Sequence, residues 1–319
     1  MVTAAQIPGW LRALYPFEPR SLALGRVRLS YVDEGPRSAE AVILLHGNPT
    51  WSFFYRELIR RLSAAGIRAV APDHIGMGLS DKPSGYPYRL ERRIADVAAL
   101  IEHLGLAKVH LVVHDWGGAV GFGWAVHRPD LAGRIAVLNT AAFPSRWMPW
   151  RIAACRAPLL GEWLMRGANA FAGPATWMAV RRRPLPADIK RAYLFPYDSW
   201  GNRIGVARFV QDIPMGPAHP SMAVLEEIGN SLPKLADHPM LITWGGADFC
   251  FDRRFFEEWR RRFPNAQARL IPNAGHYLME DAPDETIPEI EGFLKAEAGL
   301  RQGPAKPGAP SRRPPQADL

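Results

Sequence analysis

The stretch Val112-Val113-His114-Asp115-Trp116-Gly117-Gly118 combines residue types and spacing best suited to chemistry. An apolar run from Val109 to Val113 precedes the turn, and a small-residue helical pattern from Gly117 to Val126 follows it. A strand, a sharp turn and a helix in that order hold the turn residue out where a substrate can reach it, and here that residue is Asp115. A carboxylate in that place can attack an sp³ carbon and form an ester through its own oxygen. Water can later attack the carboxyl carbon and free it, so an apical Asp points away from ordinary esterases.

Three further segments offer partners. His46-Gly47-Asn48-Pro49 follows an apolar strand. In α/β-hydrolases such a turn gives one backbone N–H to an oxyanion hole, and the residue after the nucleophile, here Trp116, gives another. The Asn48 amide and the Trp116 indole are side-chain N–H donors as well. Together they suit a halide or a departing carboxylate oxygen. Ala274-Gly275-His276-Tyr277 comes late in the chain and supplies His276 as a general base. Trp244-Gly245-Gly246-Ala247-Asp248 places a carboxylate after a strand, whereas Asn139-Thr140 after the preceding strand holds no acid. Asp248 is therefore the expected third member, in the order nucleophile, acid, base. Asp252 reads as a helix N-cap, and Asp73 and His74 as loop-forming residues. His110 and His114 fall on a strand and a turn, without metal-site spacing, and Gly117, Gly118, Gly121 and Gly123 form no dinucleotide fingerprint. No metal or nucleotide cofactor is implied.

Strand and helix patterns alternate around these segments. Leu22–Asp33 reads as a hairpin, with strands at Ala41–Leu45, Arg68–Ala71, Val109–Val113, Ile135–Leu138, Met240–Trp244 and Ala268–Ile271. Helices are expected at Phe53–Ala64, at Leu90–Leu104, near Phe255–Arg262 and near Pro288–Ala296. The expected fold class is α/β: an α/β-hydrolase fold, a mostly parallel central sheet with helices on both faces. The rhythm breaks at 144–220, which is rich in Pro, Arg and Trp and holds five of the eleven tryptophans. We read 1–143 and 221–300 as two parts of one core domain and 144–220 as an inserted helical cap roofing an apolar site. Residues 301–319 are Pro-rich, basic and aperiodic, the pattern of a disordered tail.

At 319 residues the chain can bury a large core. Its two cysteines, Cys155 and Cys250, suit a reducing cytosol and give no disulfide framework. The start Met1–Leu14 lacks a secretory pattern, and the apolar run Val109–Val126 is broken by His114, Asp115 and glycines, so it reads as core rather than membrane span. A cytoplasmic protein is expected. Formal charge is +8, and 144–220 holds eleven basic residues against four acidic. That bias suits an acidic partner, a peripheral membrane contact or a solvated face, while no nucleic-acid-binding pattern accompanies it.

His46–Ser52, Asp73–Pro83 and His114–Gly118 resemble the haloalkane dehalogenase group of α/β-hydrolases, and Asp248 with Gly275-His276-Tyr277 extends the likeness. Within that group, Leu14–Phe17, Val137–Pro144, Met148–Ile152, Asn169–Phe171, Asn202–Ile204 and Arg208–Pro214 resemble the β-lactone decarboxylases of bacterial long-chain olefin biosynthesis, the OleB proteins. The resemblance implies a cofactor-free enzyme that converts a long-chain cis-β-lactone to an internal cis-alkene and CO₂. It also implies work beside a β-lactone synthetase and other olefin enzymes in a membrane-associated assembly. The alternative is a haloalkane dehalogenase using the same Asp115, Asp248, His276, Asn48 and Trp116. An epoxide hydrolase would need cap tyrosines, for which Tyr193 and Tyr197 are the pair at hand. A non-catalytic receptor on this fold would commonly lack one of the three catalytic residues.

Overall fold

The computed structural model describes residues 7–157 and 159–296, so the expected tail at 301–319 lies outside the described residues. Among these residues eight strands form one sheet: β1 (Arg20–Leu24), β2 (Val27–Glu34), β3 (Glu40–Leu45), β4 (Ala69–Pro72), β5 (Lys108–Asp115), β6 (Ala132–Thr140), β7 (Met240–Gly245) and β8 (Gln267–Ile271). Their order is β1-β2-β4-β3-β5-β6-β7-β8, antiparallel across the first two pairings and parallel across the rest. Helices α1 (Gly9–Leu14), α2 (Arg56–Ala64), α3 (Leu90–His103) and α4 (Trp116–Ala125) precede β6. Between β6 and β7 run α5 (Trp150–Cys155), α6 (Leu160–Arg166), α7 (Ala172–Met178), α8 (Ala187–Leu194), α9 (Ile204–Gln211) and α10 (Pro220–Ser231). The chain closes with α11 (Arg253–Arg262), α12 (Leu278–Asp281) and α13 (Pro283–Lys295).

The alternation of side chains along a strand divides the core in two. Val42, Leu44, Val112, Ala136 and Leu138 face one side, where Leu58, Ile59 and Leu62 of α2 and Ile287, Ile290 and Phe293 of α13 cover them. Ala41, Ile43, Leu45, Leu111, Val113, Ile135 and Val137 face the other, under α3, α4, α10 and α11. Central strands buried on both faces are therefore continuously apolar, which is why β3 and β5 stand out as unbroken runs.

Two elements differ from expectation. Helix α13 begins at Pro283, not near Pro288, and carries Pro288 in its interior. A Pro is most often a start signal, which places the expected beginning too late. Helix α1 is six residues long, too short to show a periodic pattern. Within 144–219 the described residues form helices and turns and no strand, and no helix among the described residues is long and apolar enough to cross a membrane.

The elbow depends on close packing of α4. A Cβ on Gly117 would stand 2.0 Å from the Leu45 carbonyl oxygen at the end of β3, a backbone atom that cannot turn aside. Gly117→Ala is expected to cost about 3 kcal/mol of unfolding free energy through overpacking, read from urea denaturation midpoints. An unchanged midpoint would show that α4 is not seated this close to β3.

Candidate active site

Asp115 ends β5 with φ 52° and ψ −124°, in the left-handed half of backbone space that a side chain rarely adopts. The sharp turn that results breaks the strand and starts α4 at the next residue. The Thr140 hydroxyl at the end of β6 donates to the Asp115 carbonyl and so fixes the turn's backbone. The carboxylate then projects past the strand end toward the β3–α2 turn. There the backbone N–H of Asn48 donates to Asp115 Oδ1 at 2.7 Å.

His276, in the loop between β8 and α12, lies beside it. Its Nε2 is 3.7 Å from Asp115 Oδ2, and its Nδ1 pairs with Asp248 Oδ2 at 2.8 Å. Asp248 is buried, and its other oxygen accepts the Cys250 backbone N–H at 2.6 Å. Expected partners 133 residues apart between Asp115 and Asp248, and 161 between Asp115 and His276, thus converge on one point. Burial raises the Asp115 pKa, and His276 with the backbone N–H groups of Asn48 and Trp116 reverses that only in part. The carboxyl stands above the ordinary aspartate range. Burial alone would lower His276, but the charge and hydrogen bond of Asp248 and then the charge of Asp115 outweigh it, and its pKa is raised.

Asn48 and Trp116 both border the space in front of Asp115. The Asn48 side chain is also tied to the insertion: its amide nitrogen donates to the Val206 carbonyl of α9 at 3.1 Å, which commits one of its two N–H groups. Its Oδ1 is buried without a partner. The Trp116 indole packs edge-on to Phe209, with ring centres 5.5 Å apart. Behind both lies Arg93, 1% exposed, its guanidinium 3.7 Å from the Phe209 ring centre and 5.0 Å from that of Trp116. Arg93 pairs with Asp212 at 2.7 Å, and Asp212 also receives Arg89 and the Ser221 hydroxyl. This buried cluster ties α3 to the end of α9 directly behind the Trp116 ring.

Asn139 is a site-bordering residue that sequence reasoning passed over for want of a charge. At positive φ, it donates its amide to Asp248 Oδ2 at 2.9 Å and to the Gly245 carbonyl, while its Oδ1 accepts the Gly245 N–H. It thereby holds the loop carrying Asp248 against β6. The remaining candidates are engaged elsewhere. Asp73 accepts the N–H groups of Ser52 and Leu79, Asp252 caps α11, and His110 bonds to Glu40. Tyr193 donates to Glu280 and Tyr197 to the Thr50 carbonyl, so neither hydroxyl serves the cavity as an epoxide hydrolase would require. Among the described residues no group of three or more His, Cys, Asp or Glu is arranged to hold a metal ion.

In front of Asp115 opens a cavity whose empty space, open solvent at its mouth included, is about 1340 Å³. Its walls are apolar side chains, among them Phe143, Ile152, Phe171, Met178, Val210 and Leu225, with Asp115, His276 and Asn48 at one end. About half of the lining residues, 17 of 32, lie within 144–220.

An Asp at a strand–turn–helix elbow, faced by His276 and Asp248, on this strand order defines the class of the protein. Residues 40–283 match the α/β-hydrolase fold family, and the chain belongs to it. Among curated proteins it is 44% identical over 293 residues to a cis-3-alkyl-4-alkyloxetan-2-one decarboxylase of Xanthomonas campestris, covering 88% of this chain and 97% of that one. A protein of the same name from Shewanella oneidensis is 44% identical over 290 residues, with 89% and 90% covered. Haloalkane dehalogenase 2 of Mycobacterium tuberculosis is 32% identical, with 87% and 95% covered. In three dimensions the chain is similar to haloalkane dehalogenase DbeA of Bradyrhizobium elkani, at TM-score 0.80 and 27% identity, over 87% of this chain and 97% of that one.

The electrostatics give a direct test. His276 is expected to keep its proton to higher pH than an ordinary histidine, and Asp248→Asn, which removes the larger carboxylate influence, should bring its titration down. NMR titration of the ring nitrogens measures both. A midpoint unmoved by the substitution would mean that Asp248 does not set the charge of His276.

Proposed function

We propose that this protein is a cofactor-free β-lactone decarboxylase, converting a cis-3,4-dialkyl oxetan-2-one to an internal cis-alkene and CO₂. The observation that carries the proposal is the pairing of a buried, His-flanked Asp115 with an almost wholly apolar cavity. The identity to the two decarboxylases, higher than to the dehalogenase and extending through the insertion, supports the same choice.

In the proposed cycle Asp115 attacks the ring carbon that bears oxygen. The strained carbon–oxygen bond breaks, leaving an alkyl ester on Asp115 and a carboxylate on the neighbouring carbon. The remaining amide N–H of Asn48 and the indole N–H of Trp116 meet the oxygen as it takes up charge. The bond to that carboxylate then supplies the electron pair of the double bond, CO₂ departs, and Asp115 leaves with its original oxygens. Inversion on attack followed by anti elimination preserves the cis geometry. The net reaction consumes no water. In this cycle His276 acts as a cation that offsets the buried negative charge, its pKa raised by Asp248, and Asn139 acts as a positioning residue for Asp248. Residues 144–220 act as the cap whose apolar wall receives the alkyl arms. The protein works in the cytoplasm with peripheral membrane contact. Because the substrate must be made by closing a lactone ring, a lactone-forming enzyme acts upstream, in keeping with an olefin-forming assembly.

Purified protein given a cis-β-lactone with two long alkyl arms is expected to release alkene and CO₂, with no comparable halide release from a 1-haloalkane. Asp115→Asn should abolish turnover while leaving the circular dichroism spectrum unchanged. Rapid halide release with an inert lactone would make the protein a haloalkane dehalogenase, and near-native activity of the variant would remove Asp115 from the chemistry.

A further inference from the structure

Large apolar side chains that stand exposed among the described residues all lie between Trp147 and Met215, in about a quarter of the chain. They concentrate on α5, on α6 and on Leu159 just before it. Trp150 is 72% exposed, Leu159 90%, and Leu160 and Trp163 58% each. The two helices pack on each other, and α5 divides its faces: Ile152 and Cys155 line the cavity, while Trp150 points away to solvent. Trp147 and Met215 line the cavity and are also exposed, which places them at its mouth. The apolar surface and the entrance to the cavity are therefore continuous.

The charge of this surface has one sign. Residues 144–161 contain Arg146, Arg151 and Arg156 and no Asp or Glu. Among the described residues none of the three meets a carboxylate, and the Arg151 guanidinium lies 4.9 Å from the Trp150 ring centre. Glu162, the next acid, is already paired with Arg166 at 2.5 Å. Short amphipathic helices with tryptophan on the apolar side and arginine at the rim are suited to the boundary between lipid headgroups and acyl chains. Arginines without partners favour anionic headgroups. A protein seated on the same face would cover the mouth, whereas a lipid surface opens it to the phase in which an apolar substrate collects.

We propose that α5, α6 and Leu159 form a docking surface for anionic membranes, through which the cavity takes its substrate directly from the lipid. The docking rests on the surface alone, and only the uptake of substrate rests on the decarboxylase reading.

The test is cosedimentation of the full chain with vesicles of phosphatidylcholine, alone or mixed with phosphatidylglycerol. Binding to the mixed vesicles, weakened by added salt, is expected. The combined variant Trp150→Ser, Leu160→Ser, Trp163→Ser should bind them about tenfold or more weakly, with unchanged thermal unfolding and unchanged turnover of a short, water-soluble β-lactone. Protein that stays in the supernatant with both vesicle types, or a variant that binds like the wild type, would overturn the proposal. So would a wild-type dimer in light scattering that the variant dissociates, since the face would then be an interface between copies. Vesicle binding without turnover of any lactone would leave the docking surface standing and remove the decarboxylase reading. Turnover without vesicle binding would do the reverse.

Discussion

Asp115 is a carboxylate taken out of water at the one point where β3, β5 and α4 meet, and most of the surrounding architecture serves to keep it there in usable form. An isolated buried carboxylate would take up a proton and cease to be a nucleophile. The backbone N–H of Asn48 and the His276 ring oppose that tendency, and Asp248 in turn raises the pKa of His276. The pKa directions of Asp115 and His276 express the same balance: each is raised, one by desolvation and the other by its two acidic neighbours. Moving any member would change the charge of the others. The strained backbone at Asp115 is tolerable because the missing side chain of Gly117 lets α4 press against the end of β3.

A second buried charge, Arg93, belongs to the attachment of the insertion. Its pair with Asp212 lies between α3 and α9, and its guanidinium packs against both the Trp116 and Phe209 rings. Such a pair gains little in net stability, but removing one partner leaves the other uncompensated, so the arrangement specifies position more than it adds strength. The position it specifies is that of Trp116, on the cavity wall next to Asp115. The Asn48 amide bonded to the Val206 carbonyl makes a second tie between the site and α9.

Much of the fold was legible because its signals are local. Ala41–Leu45 and Val109–Val113 are unbroken apolar runs since both faces of the sheet are covered, and Asp115 follows the second directly. His276 and Asp248 were legible as the His and Asp that follow the last two strands. Asn139 was not, because its value comes from the ends of β6 and β7 lying side by side, and an amide carries no charge to draw attention. Arg93 and Asp212 are 119 residues apart, and nothing in either neighbourhood signals the other. The Asn48 amide was expected to offer a side-chain donor to the reacting oxygen, and a carbonyl of α9 takes one of its two N–H groups, a competition visible only once the insertion is folded over the site. The five tryptophans of 144–220 raised the expectation of an apolar roof, and the structure leaves all five exposed, with Trp147 alone of them lining the cavity.

The account depends most on Asp115 acting as a leaving carboxylate, not as an ester that water must cut. Turnover in ¹⁸O-enriched water, followed by mass spectrometry of the peptide carrying Asp115, measures this directly. Elimination returns Asp115 with its own oxygens, so the lactone reaction is predicted to leave the peptide unlabelled after many cycles. Progressive entry of ¹⁸O into the Asp115 carboxylate would show that each cycle ends in hydrolysis, and would contradict the account.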